Sequence, residues 1–426
     1  MSKQHYPALA ETVYTEVLSN GLTVKVVPRP GFSRKLAYFV TDFGSVHQEF
    51  ELDGEIYQVP AGIAHFLEHK MFELPNRDIM EEFASLGANV NAFTSYDMTA
   101  YYFTCSENFA DNLRLLLEFV STPYFTDESV QREMGIIDQE IGMNEDAPES
   151  CVFEELMRAL YQVHPIKIPI LGTKETIRSI TPQLLETCHR AFYTPENMIL
   201  CVVGDVQIEE VASIAEQVLG TRRKAAGKKL QTWKESMKAL QAQCNCTMEV
   251  SMPMFQLAFK AEPIEAGIAT MREEIVGDLA AEALFGESSA LYLRLYEDGL
   301  IDSSFGGGFE TVNGCAMLTC GGDSDEPEKI RDAILLRVQE LLKEGIPDAD
   351  FLRMKRSAMG RRIRDLDSFD STCFRICAYH FCEFDYFGFP AVYADVKQEQ
   401  IIAFLERVVT AERCALSIIE PKEESV

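Results

Sequence analysis

The chain has 426 residues, 47% of them hydrophobic, and a formal net charge of −28. That length suits two to three domains with large cores, and the charge argues against a nucleic-acid partner, because a phosphate backbone is gripped by clustered Lys and Arg. No run reaches the roughly 18 apolar residues of a membrane span, the first residues lack the apolar core of a secretory signal, and twelve cysteines are too sparse for a disulfide framework. A cytoplasmic protein is expected, with an acidic surface that can attract basic peptides.

Residues 14–18 and 22–27 flank Asn20-Gly21, a hairpin signal because both residue types tolerate positive φ. Residues 35–43 form a third apolar strand. In residues 61–73, Ile63, Phe66, Leu67 and Met71 fall at helical spacing, and no Gly or Pro follows Gly62. Within that stretch runs His65-Phe66-Leu67-Glu68-His69. On a helix, residues four apart sit one turn apart on nearly the same face. His65 and His69 can therefore present two ring nitrogens to one metal ion, and Glu68 projects from the same turn toward a water on that ion. This is the inverted form of the His-Glu-x-x-His zinc motif.

Residues 79–86 read as a short helix stopped by Gly87. Residues 88–103, rich in Thr, Tyr and Phe, read as extended chain. At a sheet edge beside the metal they would pair their backbone with a bound peptide; as an internal strand they would only build the sheet. Residues 110–120 form an amphipathic helix, and Thr126-Asp127-Glu128 opens another that runs to about Asn144. On it Glu133 and Glu140 are two turns apart and share a face. Two histidines leave a third zinc ligand to be found. Either glutamate can supply it, and with Asp138, Glu145 and Asp146 nearby, spacing singles out neither.

Residues 151–218 read as helix, strand and helix. The passage 221–245 opens Thr-Arg-Arg-Lys-Ala-Ala-Gly-Lys-Lys, basic and polar unlike its surroundings, and reads as a linker. Beyond it the outline repeats: strand 255–261, helix 269–284, strand 316–321, helix 328–344, a largely helical 351–387, and a closing strand 414–419 that mirrors 199–203. This predicts an internal duplication, with a metal-bearing catalytic half over 1–220, a linker over 221–245, and a homologous half without the metal motif over 246–426. Cys373, Cys377 and Cys382, with His380 between, lack paired Cys-x-x-Cys knuckles and read as small buried side chains on a helix.

Over most of its length the chain resembles the pitrilysin or insulinase-type zinc metallopeptidases, in the short form similar to the mitochondrial processing peptidase. The resemblance is carried by His65 to His69, by the later helix with Glu133 and Glu140, by Asn91-Ala92-Phe93-Thr94, and by Phe192-Tyr193-Thr194-Pro195-Glu196-Asn197-Met198 followed by Gly204-Asp205. It implies an α+β fold of two homologous halves, each an antiparallel-rich mixed sheet covered by helices on one side, closing on a peptide like a clam shell. It also implies Zn2+ held by His65, His69 and Glu140, Glu68 as the base that activates the zinc-bound water, Glu133 as support behind the ligands, and Asn91, Ala92, Phe93 and Thr94 as a substrate-binding edge strand. The implied activity is a zinc-dependent endopeptidase hydrolysing peptides or unfolded and precursor segments.

One departure stands out. The family's second half usually carries an Arg and a Tyr, seven apart, that grip substrate and stabilise the oxyanion. Here, counting from Arg294, the Tyr position holds Ile301; counting from Gly299-Leu300, it holds Asp302. The resemblance then implies a homologous partner lacking the metal motif, in a heterodimer, with a homodimer as the other arrangement. The competing reading is a non-catalytic scaffold or maturation subunit that binds peptides in a complex. Such relatives tend to lose motif residues, whereas His65, Glu68, His69 and Glu140 are all present here.

Overall fold

The computed structural model describes residues 1–221, 225–231 and 233–422 and holds two compact units. The first draws on residues 1–141, 169–232 and 363–388, the second on 142–168, 233–362 and 389–426. The chain-order halves thus exchange one segment each.

The first unit is built on a seven-stranded sheet: β1 (Ser2–Tyr6), β2 (Glu11–Val17), β3 (Thr23–Pro28), β4 (Lys35–Thr41), β5 (Ala88–Thr94), β6 (Thr99–Cys105) and β7 (Met198–Gly204). Their order is β1-β2-β3-β7-β4-β6-β5. Only β3 and β7 run parallel in it. Strand β7, Met-Ile-Leu-Cys-Val-Val-Gly, is buried at every position because it lies mid-sheet with both faces covered. Alternation turns Ala37 and Phe39 of β4 into a core shared with Phe66 and Leu67 of helix α1 (Ile63–Met71). The metal-motif helix is therefore seated by its apolar side.

Two local features differ from the sequence expectation. In the β2–β3 turn only Gly21 takes positive φ (95°). Asn20 is fully buried and acts through its side chain, accepting from the Leu22 N–H (3.1 Å) and donating to the Gly220 carbonyl (2.8 Å). The stretch 88–103 is two paired strands rather than one, because Ser95 turns the chain: its hydroxyl accepts from the Asp97 and Met98 N–H groups. Of the two strands, β6 is internal and β5 is the sheet edge.

The second unit carries a five-stranded sheet: β8 (Gln243–Met248), β9 (Met254–Ala261), β10 (Gly306–Val312), β11 (Cys315–Asp323) and β12 (Cys414–Pro421), in the order β8-β12-β9-β11-β10. The β8–β12 pair is parallel and the rest antiparallel. This repeats β3-β7-β4-β6-β5 strand for strand and direction for direction, as an internal duplication requires. Each unit also takes a helix from the exchanged segments: α3 (Pro148–Leu160) packs on β9 and β12 in the second unit, and α4 (Phe369–Phe381) on β4 and β7 in the first.

Cys373 and Cys377 of α4 are fully buried, with the Cys373 Sγ 3.7 Å from the Cys201 carbonyl. All twelve cysteines are thiols, and none joins a metal-type cluster among the described residues. Of the passage 221–245, residues 222–224 and 232 lie outside the described residues. Lys228–Lys229 pairs with the strand Glu49–Leu52, while Trp233 packs edge-on to His164 in the second unit, ring centres 4.3 Å apart. No helix among the described residues is long and apolar enough to cross a membrane.

Candidate metal centre

Gly62 lets α1 begin where it does. Its φ is 91°, and a Cβ there would stand 2.4 Å from the Leu171 carbonyl oxygen, so a side chain would collide with backbone. One turn on, the two histidine rings lie with centres 4.5 Å apart. The facing carboxylate comes from helix α2 (Asp127–Glu145). His65 Nε2 is 3.7 Å from Glu140 Oε1, and His69 Nε2 is 3.7 Å from Glu140 Oε2. One donor atom from each of His65, His69 and Glu140 lies within 4.8 Å of the others. Glu133, two turns earlier, reaches the opposite edge of His69 instead, where Nδ1 donates to Glu133 Oε1 at 2.9 Å. The two glutamates, alternatives in the sequence, differ in placement: Glu140 faces both Nε2 atoms, and Glu133 bonds the far edge of the His69 ring.

The charges suit a cation. Burial, with the neighbouring His69, lowers the His65 pKa to about 3, so its imidazole is neutral and its Nε2 can act as a ligand. At His69 burial pulls the pKa down, but the Glu133 hydrogen bond and the charges of Glu68, Glu133 and Glu140 outweigh it and raise it. A positive charge is thus favoured on the His69 ring, which lies among the three carboxylates. A carboxylate can only accept, so Nδ1 of His69 carries the proton and Nε2 is left bare toward Glu140 when the ring is neutral. His65 Nδ1 is buried with no hydrogen-bond partner among the described residues. Two imidazoles and a carboxylate, one ring braced by a second acid, form a donor set that fits zinc. Replacing Glu133 with Ala should leave all three donors in place yet weaken zinc binding about 10- to 100-fold, measurable by competition with a chelating dye; unchanged affinity would show that the brace does nothing.

Glu68 is buried beside the histidines, and burial raises its pKa against the opposing pull of Thr94 and His69. Thr94 Oγ1 donates to Glu68 Oε2 at 2.7 Å. Asn91, Ala92, Phe93 and Thr94 all lie on the edge strand β5, but only Thr94 has its side chain bonded to this group of residues. A further contact has no clear sequence signal: Glu73 takes both Lys70, which is completely buried, and Arg132, the neighbour of Glu133 on α2. The Lys70–Glu73 spacing is helical and legible, whereas Arg132 is brought in by tertiary packing.

In the second unit the positions of the expected Arg–Tyr pair offer no such pair. Arg294 Nη1 turns to Glu340 (3.7 Å), which Arg337 also holds (2.9 Å). Ile301 is buried, and Asp302 accepts from the Ser304 N–H and hydroxyl.

Comparison with known proteins shows the family. The family profile described as Insulinase (Peptidase family M16) matches residues 54–174, and that described as Peptidase M16 inactive domain matches 179–358. An uncharacterised zinc protease of Bacillus subtilis, YmfH, is 35% identical over 425 residues, spanning 98% of each chain. The chain belongs to the insulinase family, peptidase family M16. A crystal structure of an M16-like peptidase from Alicyclobacillus acidocaldarius superposes with a TM-score of 0.92 at 32% identity, covering 97% of this chain and 99% of that one. Pitrilysin shares the fold, with a TM-score of 0.80 at 17% identity over 98% of this chain and 46% of its own. This M16 chain is thus a protease-family member whose insulinase-type region contains all five residues of the candidate centre outside β5: His65, Glu68, His69, Glu133 and Glu140.

Proposed function

We propose that the chain is a zinc-dependent endopeptidase acting on peptides or unfolded and precursor segments, and that it is the metal-bearing subunit of a heterodimer. The observation that carries this reading is the meeting of His65, His69 and Glu140 with Glu68 on the adjoining helical position. Zinc held by those three side chains would supply a Lewis acid that polarises a carbonyl and lowers the pKa of water to about 7. Glu133 keeps the His69 ring turned so that its Nε2 faces inward. The Glu68 carboxylate takes the proton of the attacking water and returns it to the leaving amine. The edge strand β5, with Asn91 to Thr94, offers backbone groups to an extended peptide. A cytoplasmic, reducing setting suits its twelve thiols.

Arg294 and Asp302 support the heterodimer reading. With the guanidinium turned to Glu340 and no tyrosine at the partner position, the chain does not present the family's oxyanion pair, whose loss costs about 10² to 10³ in rate. Metal analysis and peptide cleavage, alone and with a family subunit that has the Arg–Tyr pair but no metal motif, test both parts. Zinc at one equivalent and hydrolysis raised about 10²-fold or more by the partner are expected. Full hydrolysis by the chain alone, with nothing added by the partner, would refute the heterodimer. Zinc without hydrolysis in either condition would favour the non-catalytic subunit.

A further inference from the structure

Strand β5 alternates. Ala88 and Val90 point into the core beside α1, whereas Asn91 is exposed and Phe93 packs with Tyr38 and Tyr102 on the other face. Thr94 has the parity of Ala88 and Val90, so its side chain points toward α1, where Glu68 is. Across the hairpin Thr94 pairs with Thr99. Thr99 is fully buried and its hydroxyl donates to the Phe43 carbonyl at 2.8 Å. Its one proton is committed, so it has none to offer Thr94, whose Oγ1 is 3.4 Å away. The Thr94 proton goes to Glu68 Oε2, at 2.7 Å.

The support behind this contact is stiff. The turn that follows Thr94 is held by the Ser45 and Val46 N–H groups, each 3.1 Å from a carbonyl of Ser95 or Tyr96. Gly44 allows that approach, since a Cβ on it would stand 2.5 Å from the Tyr96 carbonyl. A hydroxyl at the end of a strand that leads into so fixed a turn can select one carboxylate orientation and occupy one of its oxygens.

We propose that Thr94 is a positioning residue for Glu68, engaging Oε2 and leaving Oε1 as the atom that exchanges the proton; this rests on Glu68 being the base of a peptide hydrolase. Thr94 then acts on the rate of the chemical step, while its strand neighbours Asn91, Ala92 and Phe93 act on substrate.

Thr94→Val keeps the branched shape and removes the hydroxyl; Thr94→Ser restores it. In the chain with its partner, T94V should lower kcat about 10- to 100-fold with KM and zinc affinity unchanged, and T94S should recover most of that loss. A crystal structure of the zinc-loaded T94V variant should show the Glu68 carboxylate rotated from its wild-type orientation. A rise in KM at unchanged kcat would overturn the proposal in favour of substrate binding. Failure of T94S to recover kcat, or a T94V structure with Glu68 unmoved, would overturn it in favour of packing. If the wild type hydrolyses no peptide, the peptidase reading falls on its own, and the orientation of Glu68 in T94V still decides whether Thr94 sets it. Should T94V fail to fold, Thr94→Ala takes its place in the same measurements.

Discussion

Glu68→Gln is expected to bind zinc like the wild type and to lose peptide hydrolysis by about 10² to 10⁴-fold, the usual contribution of a positioned acid–base group. The substitution keeps the shape, and the amide oxygen can still accept from Thr94. None of the three candidate donors changes, because Glu68 is not among them. What disappears is a group able to take a proton from water and return it to an amine. Elemental analysis together with chromatography of peptide products separates the two effects. A variant that loses zinc would make Glu68 a structural part of the centre, and one that keeps near wild-type cleavage would remove it from the chemistry.

The second large effect is on stability and lies in the second unit. Glu235 accepts from the N–H groups of Gln162, Val163 and His164 at 3.0, 2.8 and 2.9 Å, and from Lys260 Nζ at 3.0 Å. Lys260 is buried, donates also to the Ser236 and Lys238 carbonyls, and lies 4.6 Å over the Tyr161 ring. Burial pushes the Glu235 carboxyl up, but the three N–H groups and Lys260 prevail and hold it at about 2. For the lysine, burial outweighs the attraction of Glu235 and lowers its pKa. Both groups are shifted downward, whereas a simple ion pair would lower the acid and raise the base. The carboxylate, with four donors converging on it, is therefore the group that the fold stabilises.

Glu235→Ala removes the carboxylate paired with a buried ammonium and the shared acceptor of three backbone N–H groups, and should destabilise the unit by about 3 kcal/mol. Urea unfolding followed by the fluorescence of Trp233, the single tryptophan, reads this directly, because its ring packs on His164 beside the site. The pH dependence has a definite sign. Glu235 titrates lower in the folded chain than the roughly 4.3 of an unfolded glutamate, so its contribution is complete above about pH 5 and is lost as the pH falls toward 2. The difference between wild type and E235A should shrink over that window. A difference that is small at pH 7 would show that the network contributes little, and one constant down to pH 2 would show that the ionised carboxylate is not its source.

These two sites show what kinds of information a sequence contains. The spacing of His65, Glu68 and His69 is a local property: a helix puts residues three and four apart on one face whatever surrounds it. Strand patterns were legible for the same reason, since burial enforces alternation or continuous apolar runs. In the Asn20-Gly21 turn the expected positive φ holds for Gly21 but not for Asn20, whose buried amide instead bonds to Gly220, far along the chain. Nothing in the basic, polar run 221–245 announces that Glu235 inside it accepts four hydrogen bonds from residues distant in sequence.

By itself, then, the sequence determined the two histidines, the intervening acid, the strands and helices, and the duplicated outline, because each rests on the geometry of a few consecutive residues. Tertiary structure alone decided that Glu140 faces both Nε2 atoms while Glu133 bonds the far edge of a ring, that the Thr94 hydroxyl meets Glu68, and that α3 and α4 each join the unit formed mainly by the other half. Those outcomes depend on how helices and strands far apart in the chain are packed. Hydrophobic burial sets that packing, but burial is non-directional and says only that an element must be covered, not by which other element.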